Sequence, residues 1–172
     1  ADLVWVGEQP GDKEDVQGEP FVGPAGKVLE RALGAAGIER HRVYVTNAVK
    51  HFSFQQRGKA RLHQRPRPGE VRACRPWLES ELEVIRPKVV VLLGATAAQA
   101  LLGATFRVSR DRGKPLPSEL GATLIATQHP SAILRKPSSA DREQAFAELV
   151  SDLSLAQRLL QEAAPGVVGP AR

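Results

Sequence analysis

The chain has 172 residues and a formal net charge of +5, enough for one compact domain with a real core. Its one cysteine, Cys74, excludes an internal disulfide framework. No apolar run approaches the ~20 residues of a membrane span and no stretch reads as a charged-then-apolar leader, so a cytoplasmic or nucleoid setting is expected.

Leu3-Val4-Trp5-Val6 is a short apolar run, the pattern of a strand buried on both faces. A polar loop follows from Gly7 to Gly23. Pro24 then suits the first position of a helix, where its missing N–H needs no partner. Val28, Leu29, Ala32, Leu33 and Ala36 recur at helical spacing, and Gly37 is a stop signal. Val43 to Asn47 reads as a second strand.

Ala48 to Gly69 shows little periodicity and reads as a long loop, the kind that is usually functional or disordered. Between Lys50 and Arg75 there are eight Lys or Arg residues and one acid, Glu70. Such a run is either a solvated face or the footprint of a phosphate-backbone binder, and the interleaved Gln, Gly, Pro and Phe favour the second. Glu70 to Ile85 is amphipathic, with Val71, Cys74, Leu78, Leu82 and Ile85 on one face.

Val89 to Leu93 is the clearest parallel-type strand, and the small residues of Ala95 to Leu102 predict a helix packed closely on the sheet. Phe106 to Leu116 holds Arg107, Arg110, Arg112 and Lys114. Thr123 to Thr127 is the fourth strand, and Asp141 to Leu160 predicts a last amphipathic helix. Residues 1–162 are read as one domain and 163–172 as a flexible tail. The alternation predicts α/β, a three-layer αβα domain with a four-stranded, mostly parallel sheet. Right-handed crossovers should then gather Gly7, Glu8, Asn47 and His129 at one sheet edge. Neither a Walker-type phosphate loop nor a Rossmann fingerprint is present, which disfavours a nucleotide-binding α/β protein.

Several segments together are specific: Gly7-Glu8-Gln9-Pro10-Gly11-Asp12, Pro20-Phe21-Val22-Gly23-Pro24-Ala25-Gly26, Val45-Thr46-Asn47, Val91-Leu92-Leu93-Gly94-Ala95, and His129-Pro130-Ser131 with Leu134-Arg135. Along nearly the whole chain they resemble the uracil-DNA glycosylase superfamily, specifically its iron–sulfur family 4 and the UdgX-type branch. Gln9 stands where ordinary family 4 members usually carry Ala. Lys59-Ala60-Arg61-Leu62-His63 resembles that branch's Lys-Arg-Arg-Ile-His insert and departs from it at Ala60 and Leu62.

The resemblance implies a uracil-DNA glycosylase-like fold acting on uracil-containing DNA, single-stranded by expectation, as a monomer without a membrane partner. It implies that Phe21 stacks on the extruded base, with Gly7 beside it, and that Asn47 reads the uracil edge through one donor and one acceptor. It implies that His129 stabilises charge developing on uracil O2. His63 is the implied nucleophile at the sugar C1′, leaving a covalent protein–DNA link. Glu8, Gln9 and Asp12 are expected to set this geometry, with Gln9 replacing or positioning the water that ordinary relatives use.

Lys59 and Arg61 are expected to hold phosphates or pin the loop, with Ser131, Arg135, Arg110 and Arg112 as further backbone contacts. Cys74 and His51 match two ligands of a [4Fe-4S] cluster, whose other two cysteines are expected N-terminal to residue 1. A hydrolytic family 4 glycosylase with turnover and a non-catalytic uracil-DNA binding module are the alternatives.

Overall fold

The computed structural model describes residues 1–163. Apart from Ala163, the expected tail lies outside the described residues. The elements in chain order are β1 (Leu3–Gly7), α1 (Asp12–Gln17), α2 (Pro24–Ala36), a 3₁₀ turn (Arg40–Arg42), β2 (Val43–Asn47), β3 (Phe54–Arg57), β4 (Ala60–His63), α3 (Pro68–Ile85) and β5 (Val89–Leu93). They continue with α4 (Ala95–Leu102), α5 (Val108–Asp111), β6 (Pro115–Pro117), β7 (Thr123–Thr127), α6 (Pro130–Leu134) and α7 (Ser139–Glu162).

The main sheet has the order β2-β1-β5-β7-β6. Its first four strands run parallel, and β6 joins antiparallel to β7. The sheet therefore has five strands, one more than expected. Pro115 and Pro117 argue against a strand because proline cannot donate to a ladder, but an edge strand tolerates them.

Successive side chains of each strand point to opposite faces, so the sheet feeds two cores. Trp5, Val91, Leu93 and Ile125 pack with Leu29 and Leu33 of α2 and with Leu149 and Leu153 of α7. Val4, Val6, Val90, Leu92 and Leu124 pack with Leu78 and Leu82 of α3 and with Ala97 and Ala98 of α4. This is the three-layer αβα arrangement, built around strands buried from end to end. No helix among the described residues is long and apolar enough to cross a membrane.

The long segment read as a loop holds a β-hairpin. β3 and β4 pair antiparallel, Phe54 opposite His63 and Gln56 opposite Arg61. Gly58, at φ +57°, opens its two-residue turn. The hairpin escapes a periodicity reading because most of its side chains are exposed, so no alternation of apolar residues marks it. Helix α3 begins two residues earlier than expected, with Pro68 at its first position.

Candidate active site

The strands end where the site begins. Gly7 closes β1 and Glu8 follows it, Asn47 closes β2, Gly94 to Thr96 follow β5, and His129 follows β7. Glu8, Asn47, Gly94, Thr96 and His129 line one cleft of about 1200 Å³ at the carboxyl edge of the sheet, with Phe21, His63 and Arg135 around it. Open parallel sheets place their sites here because the connecting loops diverge at the strand ends.

Phe21 and Asn47 owe their positions to glycines. A Cβ at Gly7 would run into Asn47 Oδ1 and reach 3.0 Å from the Phe21 ring. A Cβ at Gly26 would collide with the Phe21 carbonyl. Phe21 itself adopts φ +55°, a conformation that costs a bulky residue energy and needs such support. Its ring lies 6.0 Å from that of His129, with the planes 28° apart.

His129 caps the N-terminus of α6. Its Nδ1 accepts the Ser131 backbone N–H at 3.1 Å, and the Ser131 hydroxyl sits 2.8 Å away. An accepting Nδ1 means that the neutral ring carries its proton on Nε2. Burial pushes the His129 pKa down from 6.5 to about 4; the Glu8 carboxylate opposes this, and the Arg135 and His63 charges add to it. The ring is therefore a neutral donor at ordinary pH.

His63 closes β4 with its Nε2 3.2 Å from Glu8 Oε1. The second carboxylate oxygen, Oε2, accepts the Thr96 hydroxyl at 2.5 Å. Glu8 is thus held from α4 while it holds the hairpin histidine. Thr96 went unnoticed in the sequence, although it too follows a strand end.

Gln9 is buried and spends its amide on the two ends of the hairpin. Its Nε2 donates to Ser53 O at 3.2 Å and Gln64 O at 3.1 Å, and its Oε1 accepts the Ser53 N–H at 3.0 Å. With these bonds made, Gln9 clamps the hairpin to the loop after β1. Asp12 differs from the expectation, pairing with Arg61 instead of joining His63 and Glu8 directly.

Arg61 pairs with Asp15 as well, at 2.7 Å, and lies over the Phe52 and Phe54 rings at 5.2 and 5.1 Å. Both its charge and its flat face are thus engaged by the protein's own groups. Lys59 stands exposed in the hairpin turn.

The remaining expected backbone contacts divide. Arg135 is exposed, with Nη1 3.4 Å from Ser131 Oγ. Arg110 pairs with its neighbour Asp111. Arg112 is half-buried at the cleft, and its guanidinium is paired with Asp152 and Glu148 on α7. Composition shows charges but not their internal pairing. Arg65 and Lys136, unnoticed in the sequence, also line the cleft.

Away from the cleft, Cys74 Sγ lies 3.9 Å from His51 Nδ1, and His51 Nε2 lies 3.2 Å from Glu70 Oε1. The two expected cluster ligands are therefore neighbours. Among the described residues, no group of three or more His, Cys, Asp or Glu could hold a metal ion. These residues alone do not make a cluster site.

Sheet order, carboxyl-edge cleft and the neutral strand-end histidine define an α/β protein with a compact polar site. The chain belongs to the uracil DNA glycosylase superfamily, whose profile matches residues 1–154. It is 40% identical over 144 residues to the type-4 uracil-DNA glycosylase of Archaeoglobus fulgidus, covering 80% of this chain and 69% of that one. It is 40% identical over 138 residues to the enzyme of the same name from Thermotoga maritima, covering 80% and 68%. The type-4 enzyme of Sulfurisphaera tokodaii is 34% identical over 145 residues, covering 80% and 63%.

Proposed function

We propose that this protein excises uracil from DNA and is then captured covalently at the sugar C1′ through His63. The observation that carries this reading is the position of His63. It sits against Glu8 at the same cleft that holds Phe21, Asn47 and His129.

The extruded base lies on Phe21, which supplies affinity without choosing among bases. The Asn47 amide offers one donor and one acceptor to the uracil edge, and cytosine presents the opposite pattern. As the C1′–N1 bond breaks, its electron pair leaves with uracil. The Nε2–H of His129 then donates to the charge gathering on O2, where a buried neutral donor is most effective.

The sugar is left with oxocarbenium character. Glu8 stabilises that cation, and the imidazole lone pair of His63 forms the new N–C1′ bond. The product is an imidazolium whose remaining N–H is held by Glu8. It carries no good route to hydrolysis, so turnover ends.

A [4Fe-4S] cluster would take Cys74 and His51 as two of its four ligands and would supply structural support near α3. No step of this reaction passes through it.

A second reading, compatible with the type-4 uracil-DNA glycosylase names of the relatives, is hydrolysis with turnover, in which His63 only shapes the hairpin. One experiment separates the two. The protein is mixed with an oligonucleotide holding a single uracil, heated in detergent and run on a denaturing gel. A heat-resistant, uracil-dependent shifted band is the expected result. Alkali-labile abasic DNA without that band would establish the hydrolytic reading.

A further inference from the structure

Asp152 of α7 is 4% exposed, and the reaction above does not use it. Its carboxylate accepts Arg112 Nη1–H at 2.8 and 2.7 Å and the fully buried Thr127 hydroxyl at 2.6 Å. Arg112 Nη2 also reaches Glu148 at 3.3 Å. Gly113 permits this approach, because a Cβ there would press on Asp152 Oδ1.

These contacts fall on a short piece of chain. Thr127 ends β7 two residues before His129. Gln128, between them, donates from Nε2 to Ala145 O at 2.7 Å and Glu148 Oε2 at 3.3 Å. The Gly113 N–H donates to Ala126 O at 2.9 Å. Residues 126 to 128 are thus tied from two sides, immediately ahead of the histidine.

We propose that the Arg112–Asp152 pair, whose carboxylate is buried, is a positioning element for His129, fixing the end of β7 so that the imidazole meets the base. The proposal rests on the role given to His129 above. Packing alone does not call for the pair. Leu149, Leu153 and Ala156 already seat α7 on the sheet with no exposed surface. A buried ion pair adds little net stability over apolar residues of similar volume, whereas misplacing a reacting group is expensive.

The test is a double-mutant cycle on single-turnover uracil release, using Asp152→Asn, His129→Ala and the pair combined. Asp152→Asn is expected to slow release about tenfold to a hundredfold with His129 present. In the His129→Ala background it should cost no more than about twofold. Leu149→Ala, which loosens α7 without touching the pair, should lower thermal stability yet leave the release rate near wild type at low temperature. Thr127→Val should repeat the cycle's pattern more weakly, and decides the matter if Asp152→Asn does not fold.

Losses that multiply independently in the cycle would overturn the proposal, as would equal slowing by Leu149→Ala. If the wild-type protein releases no uracil, the proposed function fails by itself. The inference is then judged by the ring signals of His129 in nuclear magnetic resonance. A shift in Asp152→Asn but not in Leu149→Ala supports it, and the absence of such a difference overturns it.

Discussion

His63 and Glu8 lie 55 residues apart in sequence, as their numbers show, yet their side chains meet at 3.2 Å. One closes a strand of the hairpin and the other follows β1 of the main sheet. The contact places an imidazole nitrogen against a carboxylate that Thr96 already holds. Under the proposed function, a base-expelling site and a nucleophile share one cleft. His63→Ser is expected to abolish the covalent band, while slow uracil release persists because Phe21, Asn47 and His129 are untouched. Denaturing gels and a uracil-release assay on the same samples check both halves, and a band surviving in His63→Ser would move the nucleophile elsewhere.

Gln9→Ala tests the clamp. The substitution deletes three hydrogen bonds between the β1 loop and the hairpin ends. Each is worth about 1 kcal/mol net, and water reaching the freed Ser53 and Gln64 backbone groups offsets part of the loss. Adduct formation is expected to slow about tenfold or more, with faster amide hydrogen exchange between Phe54 and His63. Unchanged exchange in the hairpin would show that Gln9 does not hold it.

Lys59→Ala and Arg61→Gln should behave differently. Lys59 is exposed in the hairpin turn, so its loss is expected to reduce the salt dependence of DNA binding by about one phosphate contact, ~0.7 on a logarithmic scale for single strands. Arg61 is committed to Asp12 and Asp15, so Arg61→Gln should leave that slope unchanged and slow adduct formation instead. Titrations at several salt concentrations check the slopes. Identical slope changes in the two variants would place Arg61 on the DNA.

Gly7→Ala puts a methyl group against Asn47 Oδ1 and the Phe21 ring. Overpacking of this kind typically costs about 1–3 kcal/mol. Here the strain is borne by the base pocket, so uracil release should fall sharply while the melting temperature drops only a few degrees. A large loss of stability with normal release would contradict that placement.

Stability should carry the signature of His129. Its pKa falls from 6.5 to about 4 on folding. Above pH 6.5 neither state is protonated and the group contributes no pH dependence. Between 6.5 and 4 the unfolded chain takes up the proton first, so stability declines as pH falls, by about 3 kcal/mol in total. Below 4 both states are protonated and the decline from this group stops. Urea unfolding of wild type and His129→Asn across this range checks it, since the variant should lose this part of the slope.

Much of the architecture was legible because strands buried on both faces leave long apolar runs. Leu3 to Val6 and Val89 to Leu93 are such runs, and Gly37 marks a helix end. β6 and the β3–β4 hairpin were not legible. One carries two prolines and the other exposes most of its side chains, so neither shows the apolar period on which strand recognition depends. The motifs suggested candidate site residues, but not their partners. Arg61 and Arg112 look like free cations in the sequence, and the fold gives both carboxylate partners.

The chain by itself determined which residue types stand at the ends of which strands, because local periodicity and turn chemistry are written in neighbouring residues. Only the tertiary structure decided what each side chain spends its hydrogen bonds on. That choice depends on groups far away in sequence: Gln9 on Ser53 and Gln64, Glu8 on Thr96 and His63, Asp152 on Arg112 and Thr127. A buried polar group must find a partner, and it takes whichever one the packed layers bring within reach.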